Sequence, residues 1–448
     1  MSTISIGNRW IMLQAIRTRI QKTDNIERSS YLWNMINAML SAGESPMMTL
    51  VLTRSQGVYD AGIFSIAYAI GTLMLYVGQY GFRKFQSSDI REKYSFAEYY
   101  GIRIITCVVM MIAALLYCVF GVVFRGYDAN KFIVILLVNA LKCVQAFTDV
   151  VHGRMQQMGR LDAATKSSSV RYLMEIVSFA VAYLLTHDLT VAMVTCVIVS
   201  VVVALLTSMN VATDFCQLRP VFHAKRMGQM LVEGFPLFLS LFLNMYLSNA
   251  PKYAIDAYLT EEIQAMYNII FMPAFVVQLV VHFIFNPILT SYAEVWARGE
   301  LVRFKKLIQR QILVVLGLTV LGLAIAATIG IPVLSWIFGM NLAGHKRELV
   351  IVMIGGGMLA YSVFFNTVIT IVRMHRTLIY SYGAAAIAAF ALSGFFVRNY
   401  GMLGATVLYA IIMTILTAIL GVILWMRIHE ETKKQEAKLK YNKQVSKK

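Results

Sequence analysis

Charge is what this chain has least of, with only 14% of its 448 residues being Asp, Glu, Lys or Arg. Set against 58% hydrophobic residues and a mean hydropathy of +0.66, that scarcity excludes a soluble globular protein. Acidic residues are the scarcer sign, 23 against 40 basic ones. No HExxH, GxSxG, Walker or DxD-type cluster lies in a loop large enough to fold over a substrate, and the longest connections are about 20 residues and mostly basic. A membrane glycosyltransferase would need acidic residues in sizeable extramembrane loops, so an enzyme is not expected. Cysteine is sparse too. Cys107, Cys118, Cys143, Cys196 and Cys216 show neither disulfide nor metal spacing and read as packing residues, and no metal or cofactor is expected. A cleavable signal peptide is not expected either, because residues 1–28 carry five basic side chains and no uninterrupted apolar core.

What the chain has is apolar runs of bilayer length. Twelve can be counted, at about 30–53, 60–81, 100–123, 132–151, 170–187, 189–209, 231–252, 264–288, 310–338, 350–372, 377–397 and 402–426. The reading is an all-α polytopic membrane protein. If both termini are cytoplasmic, 31 basic residues fall in inside segments and seven outside, the asymmetry that orients membrane proteins. The net charge of +17 is therefore a signal of topology and of anionic membrane lipids as partners, not of nucleic acid. Residues 1–28 form a cytoplasmic segment in which Trp10, Ile11, Leu13, Ile16 and Ile20 face basic neighbours, as in an interfacial amphipathic helix. Residues 427–448 form a basic cytoplasmic tail.

Six runs (29–214), a basic connection (215–230) and six further runs (231–426) divide the chain into two six-helix lobes. An even number of spans per lobe gives both the same orientation, a parallel repeat. Pro46 and Pro251 stand at comparable places in spans one and seven and are hinge candidates, since proline removes a helix hydrogen bond.

The polar residues inside the spans are the informative ones. Asn139, Lys142, Gln145, Asp149 and His152 recur at spacings of three, three, four and three, which places them on one face of span four. A lysine at mid-bilayer costs about 2.5–3.5 kcal/mol on insertion scales, so Lys142 should face protein or water. That leaves a hydrophilic cavity or a buried ion pair. Glu44 lies between Gly43 and Pro46, where it would bind a proton or sodium ion or pair with Lys142. Asp149 is a second ion-coupling candidate. Span seven carries Glu233, Ser240, Asn244, Ser248 and Lys252, and span eight carries Gln278, His282 and Asn286 on one face. His282 is either an ion-coupling group or a hydrogen-bonded bundle histidine. Arg171 and Glu175 form an i, i+4 pair, and Gly355-Gly356-Gly357 reads as close helix packing rather than a phosphate loop.

The stretches DAGIFSIAYAIGTLMLYVGQYGFRKFQSSD (60–89), VVHGRMQQMGRLDAA (150–164) and GFPLFLSLFLNMYLSNAPKYAIDAYLTEEIQAMYNIIFMPAF (234–275) resemble the polysaccharide-biosynthesis flippases of the multidrug/oligosaccharidyl-lipid/polysaccharide exporter superfamily. The resemblance implies two lobes in a V, with spans one, two, seven and eight lining a central cavity, and alternating access for a polyprenyl-diphosphate-linked oligosaccharide. Such a substrate is anionic and calls for a cationic groove. Lys142, Lys252, Arg83 and Arg103 are the candidates, with Asn244, Gln278 and Asn286 for the sugar. The expected location is a bacterial-type cytoplasmic membrane, the expected coupling is to protons or sodium, and a glycan polymerase and glycosyltransferases are candidate partners. A cation-coupled multidrug antiporter of the same superfamily and a non-transporting partner of glycan assembly are the alternatives.

Overall fold

Short polar residues punctuate the apolar runs and cap several of the helices. The helices follow in order: α1 (Ser2–Gln21), α2 (Ile26–Arg54), α3 (Val58–Gln79), α4 (Phe82–Ser88), α5 (Phe96–Arg125), α6 (Ala129–Gln157), α7 (Leu161–Thr186) and α8 (Leu189–Ala204). A π turn (Leu205–Met209) joins α8 to the single turn α9 (Asn210–Ala212), followed by α10 (Ala224–Tyr258), α11 (Glu261–Phe285), α12 (Leu289–Ala297) and α13 (Leu301–Ile325). A second π turn (Ala326–Gly330) leads into α14 (Ile331–Phe338), and α15 (Lys346–Ile371) and α16 (His375–Val445) complete the chain. Asn25, Asp128 and Asp188 cap α2, α6 and α8 by accepting the backbone N–H three residues on, at 2.9, 2.8 and 3.0 Å. Ser95 and Glu98 cap α5 reciprocally, the Ser95 N–H donating to Glu98 Oε2 at 2.9 Å.

A computed structural model describes the backbone at residues 2–89, 92–285, 289–372 and 374–445; the side chains of 1–10, 88, 275, 278–290, 375, 376, 436 and 438–445 lie outside that description. Each of the twelve apolar runs falls on helix where it is described, and nine helices among the described residues are long and apolar enough to cross a membrane. The last two runs share α16, which breaks at Gly401 with φ 56° and ψ −135°, a conformation open to glycine but strained for other residues. The protein is thus a multi-pass, all-helical membrane protein.

The chain forms two compact units, Met1–Met245 and Tyr246–Lys448, and the boundary falls inside α10. In the first unit α2 packs on α7, α3 on α6, α5 on α6 and α7 on α8. Gly71 lets α3 approach α6 closely, because a Cβ there would come within 2.8 Å of Val138 Cγ1. At one end of this unit α1 seats Ile20 among buried Phe82, Tyr99, Val151 and Met155, while Ile11 and Met12 stay exposed. Arg17 pairs with Asp214 at 2.6 Å and fixes the seat. The first half of α10 belongs here as well, with Lys93 bound to Glu233 at 2.7 Å and Tyr80 stacked on Phe238 at 4.4 Å between centroids.

In the second unit α15 is the central helix, packed on α11, α13 and α16. Its glycine run serves that role. Cβ atoms at Gly355, Gly356 and Gly357 would lie 2.5 Å from the Tyr409 ring, 2.8 Å from Ala274 Cβ and 2.4 Å from Thr319 Cγ2. The run is a packing surface, as the sequence suggests.

Candidate functional site: buried charge in the two units

Along α6 the polar face predicted from spacing is real, but its residues have different surroundings. Asn139 turns back on its own helix and donates to the Ile135 carbonyl at 2.8 Å. Lys142 donates from Nζ to Glu44 Oε2 on α2 at 2.8 Å, with the two side chains 3% and 1% exposed. Tyr68 on α3 donates to the same oxygen at 3.0 Å, and its ring centroid lies 4.1 Å from the ammonium. Of the two readings of Lys142, this structure contains the buried ion pair. Glu44 keeps one oxygen, Oε1, buried and without a protein partner.

Further along α6, Asp149 accepts from two arginines, Arg103 at 3.1 Å and Arg83 at 3.2 Å. His152 shares a hydrogen bond of 2.9 Å with Ser208, inside the π turn after α8. Gln145 has a buried Oε1 with no partner. Arg171 and Glu175 on α7 form the expected i, i+4 pair, buried throughout, and Ser200 on α8 also donates to Glu175. Four cations of the first unit (Arg83, Arg103, Lys142, Arg171) therefore meet three carboxylates (Glu44, Asp149, Glu175), and the surplus sits where Asp149 is shared.

Lys252 on α10, in the second unit, is different. Its Nζ donates to Asn268 Oδ1 on α11 at 2.7 Å and lies 5.3 Å from the centroid of Phe271. The side chain is half-buried, and no carboxylate among the described residues comes within salt-bridge distance of it. An ammonium has three N–H donors and one is used. Pro251 precedes it on the buried side of the same helix, and Pro46 stands two residues beyond Glu44, inside α2. Both helices continue through their prolines. Asn244 is half-buried on the first-unit part of α10. The side chains of Gln278 and His282 lie outside the described residues, as does the whole of Asn286.

Four partners carried no sequence signal. Tyr68 sits in an apolar run, Ser200 and Ser208 are single small residues in another, and Asn268 lies ten residues before the polar stripe of span eight. Only the packing of α3, of α8 with the π turn that follows it, and of α11 brings them to these side chains.

A profile of the polysaccharide biosynthesis protein family matches residues 29–292. The chain belongs to that family. Solved structures of similar fold include an inward-facing multidrug resistance MATE family transporter of the MOP superfamily, at 13% identity and TM-score 0.61, covering 94% of this chain and 99% of that one. A MATE protein in the bent conformation matches at 12% identity and TM-score 0.54, with 94% and 98% covered. The Vibrio cholerae MATE transporter VcmN in its bent form matches at 12% identity and TM-score 0.54, with 94% and 99% covered. A search of the curated proteins finds no match. At these identities the likeness is one of fold.

Proposed function

We propose that this protein is a transporter of the cytoplasmic membrane, with both termini inside, that flips a polyprenyl-diphosphate-linked oligosaccharide to the outer leaflet by alternating access. Family membership supports a role in polysaccharide biosynthesis, and the fold is one that transporters use. The observation that carries the reading is Lys252. Among the described residues this membrane-embedded amine is held by an amide and a phenyl face, which leaves two donors for an anion, and a lipid-linked diphosphate is such an anion. Lys142 does not serve equally, because Glu44 already neutralises it. A multidrug antiporter for cations would want unpaired acid instead, and Glu44, Asp149 and Glu175 are all engaged by cations. Glu44 remains the candidate for proton or sodium coupling through its unpartnered Oε1, and sugar hydroxyls fit amides such as Asn244.

The test is flipping of a polyprenyl-diphosphate-linked oligosaccharide in reconstituted vesicles. Lys252→Ala should cut the rate at least about tenfold, the least that a lost charge-assisted hydrogen bond is worth, at unchanged thermal stability. Lys252→Arg should retain part of it, since the charge survives. A folded Lys252→Ala protein that flips at the normal rate would overturn the reading.

A further inference from the structure

The charged cluster around Asp149 lies at the end of the first unit that holds α1 and α4. Arg103 on α5 is wholly buried. Its guanidinium donates to the Gly78 carbonyl at 2.6 Å and to Asp149 Oδ2 at 3.1 Å. Gly78 sits in the last turn of α3, where carbonyls lack helical partners, and Thr106 donates to it as well at 2.7 Å. Arg103 is thus spent on joining α3, α5 and α6.

Arg83 on α4 is held differently. Its Nη1 donates to Asp149 Oδ1 at 3.2 Å and its Nε donates to Gln156 Oε1 at 3.2 Å, while 35% of the side chain stays exposed. One carboxylate shared by two guanidinium groups leaves a charge of +1. Among the described residues Arg83 also keeps three N–H donors, one on Nη1 and two on Nη2. A guanidinium fixed on two sides, with its free N–H groups in one plane, matches the paired oxygens of a phosphate.

We propose that Arg83 receives the diphosphate of the lipid-linked substrate as it enters at the α4 end of the first unit, and that Asp149, Arg103 and Gln156 are positioning residues for its guanidinium. The proposal rests on the flippase reading and adds a loading site to it. It has a counter-intuitive sign. Asp149→Asn removes a negative charge beside the site, so Coulomb attraction alone would tighten anion binding. Loss of the clamp weakens it.

The experiment measures binding of a polyprenyl diphosphate to the full-length protein in nanodiscs, with phosphatidylglycerol as the competing phosphate lipid. The wild type should prefer the diphosphate. Arg83→Gln should weaken binding about tenfold or more, one charge-assisted hydrogen bond at least, and Arg83→Lys should recover part of that loss. Asp149→Asn and Gln156→Leu should weaken it several-fold with phosphatidylglycerol binding unchanged, and Asp149→Glu should rescue. Should Arg83→Gln or Asp149→Asn fail to fold, Gln156→Leu decides, because it leaves both ion pairs in place, and an unchanged affinity there overturns the proposal. So does tighter binding by folded Asp149→Asn. Loss of binding in Lys252→Ala with full binding in Arg83→Gln would overturn this loading site alone. A wild type with no preference for the diphosphate would overturn the flippase reading with it.

Discussion

The buried pair of Lys142 and Glu44 should behave as one unit in a double-mutant cycle. The two groups meet at 2.8 Å with 3% and 1% of their side chains exposed, so neither has water to fall back on. Removing Lys142 alone, as Lys142→Met, leaves a carboxylate with one remaining donor, the Tyr68 hydroxyl at 3.0 Å. A buried charge stranded in that way costs about 3–5 kcal/mol. Glu44→Gln alone costs less, about 1–3 kcal/mol. The amide oxygen still accepts, and the Tyr68 face 4.1 Å from the ammonium offsets part of the lost charge. With both replaced no charge is stranded, and the double variant should lose about 2–3 kcal/mol less than the sum of the singles, near the upper range for contacting residues. The assay is equilibrium unfolding of the four proteins in one detergent. Losses that add to within about 0.5 kcal/mol would refute the pairing. The Glu44→Gln protein also addresses ion coupling. Its transport should change its dependence on pH or sodium, and full activity with unchanged dependence would leave Glu44 a structural role only.

Cysteines placed singly near His187 or Thr260, in a background without the native five, should react with an impermeant reagent from outside. Those near Arg160 or Lys305 should not, and external labelling at Arg160 would invert the topology. Gly356→Ala should lower thermal stability, because its Cβ would sit 2.8 Å from Ala274 Cβ with the Ala274 backbone close behind, an overpacking worth about 1–3 kcal/mol. Gly383→Ala, also in helix and with no atom within 4 Å of the new Cβ, should instead raise it by about 0.5–1 kcal/mol. A Gly356→Ala protein as stable as the wild type would contradict the packing described for α15.

The helical, membrane-spanning class was legible because lipid leaves the backbone no other partner. A run of about 20 apolar residues in a membrane must satisfy its own N–H and C=O groups, and helix is how a single segment does so. The polar face of α6 followed from helical period alone, as did the i, i+4 pairing of Arg171 with Glu175. Which charges remain available for a substrate was not legible. Lys142 and Lys252 look alike in sequence, each a lysine in an apolar span, yet one meets a carboxylate 98 residues away and the other an asparagine 16 residues away. Asp149 could have been an isolated acid, but the packing of α4, α5 and α6 brings two arginines to it. Sequence places a charge on a face at the depth its helix dictates. The electrostatics of the site depends on partners a few ångströms away on other helices, and only tertiary packing chooses those.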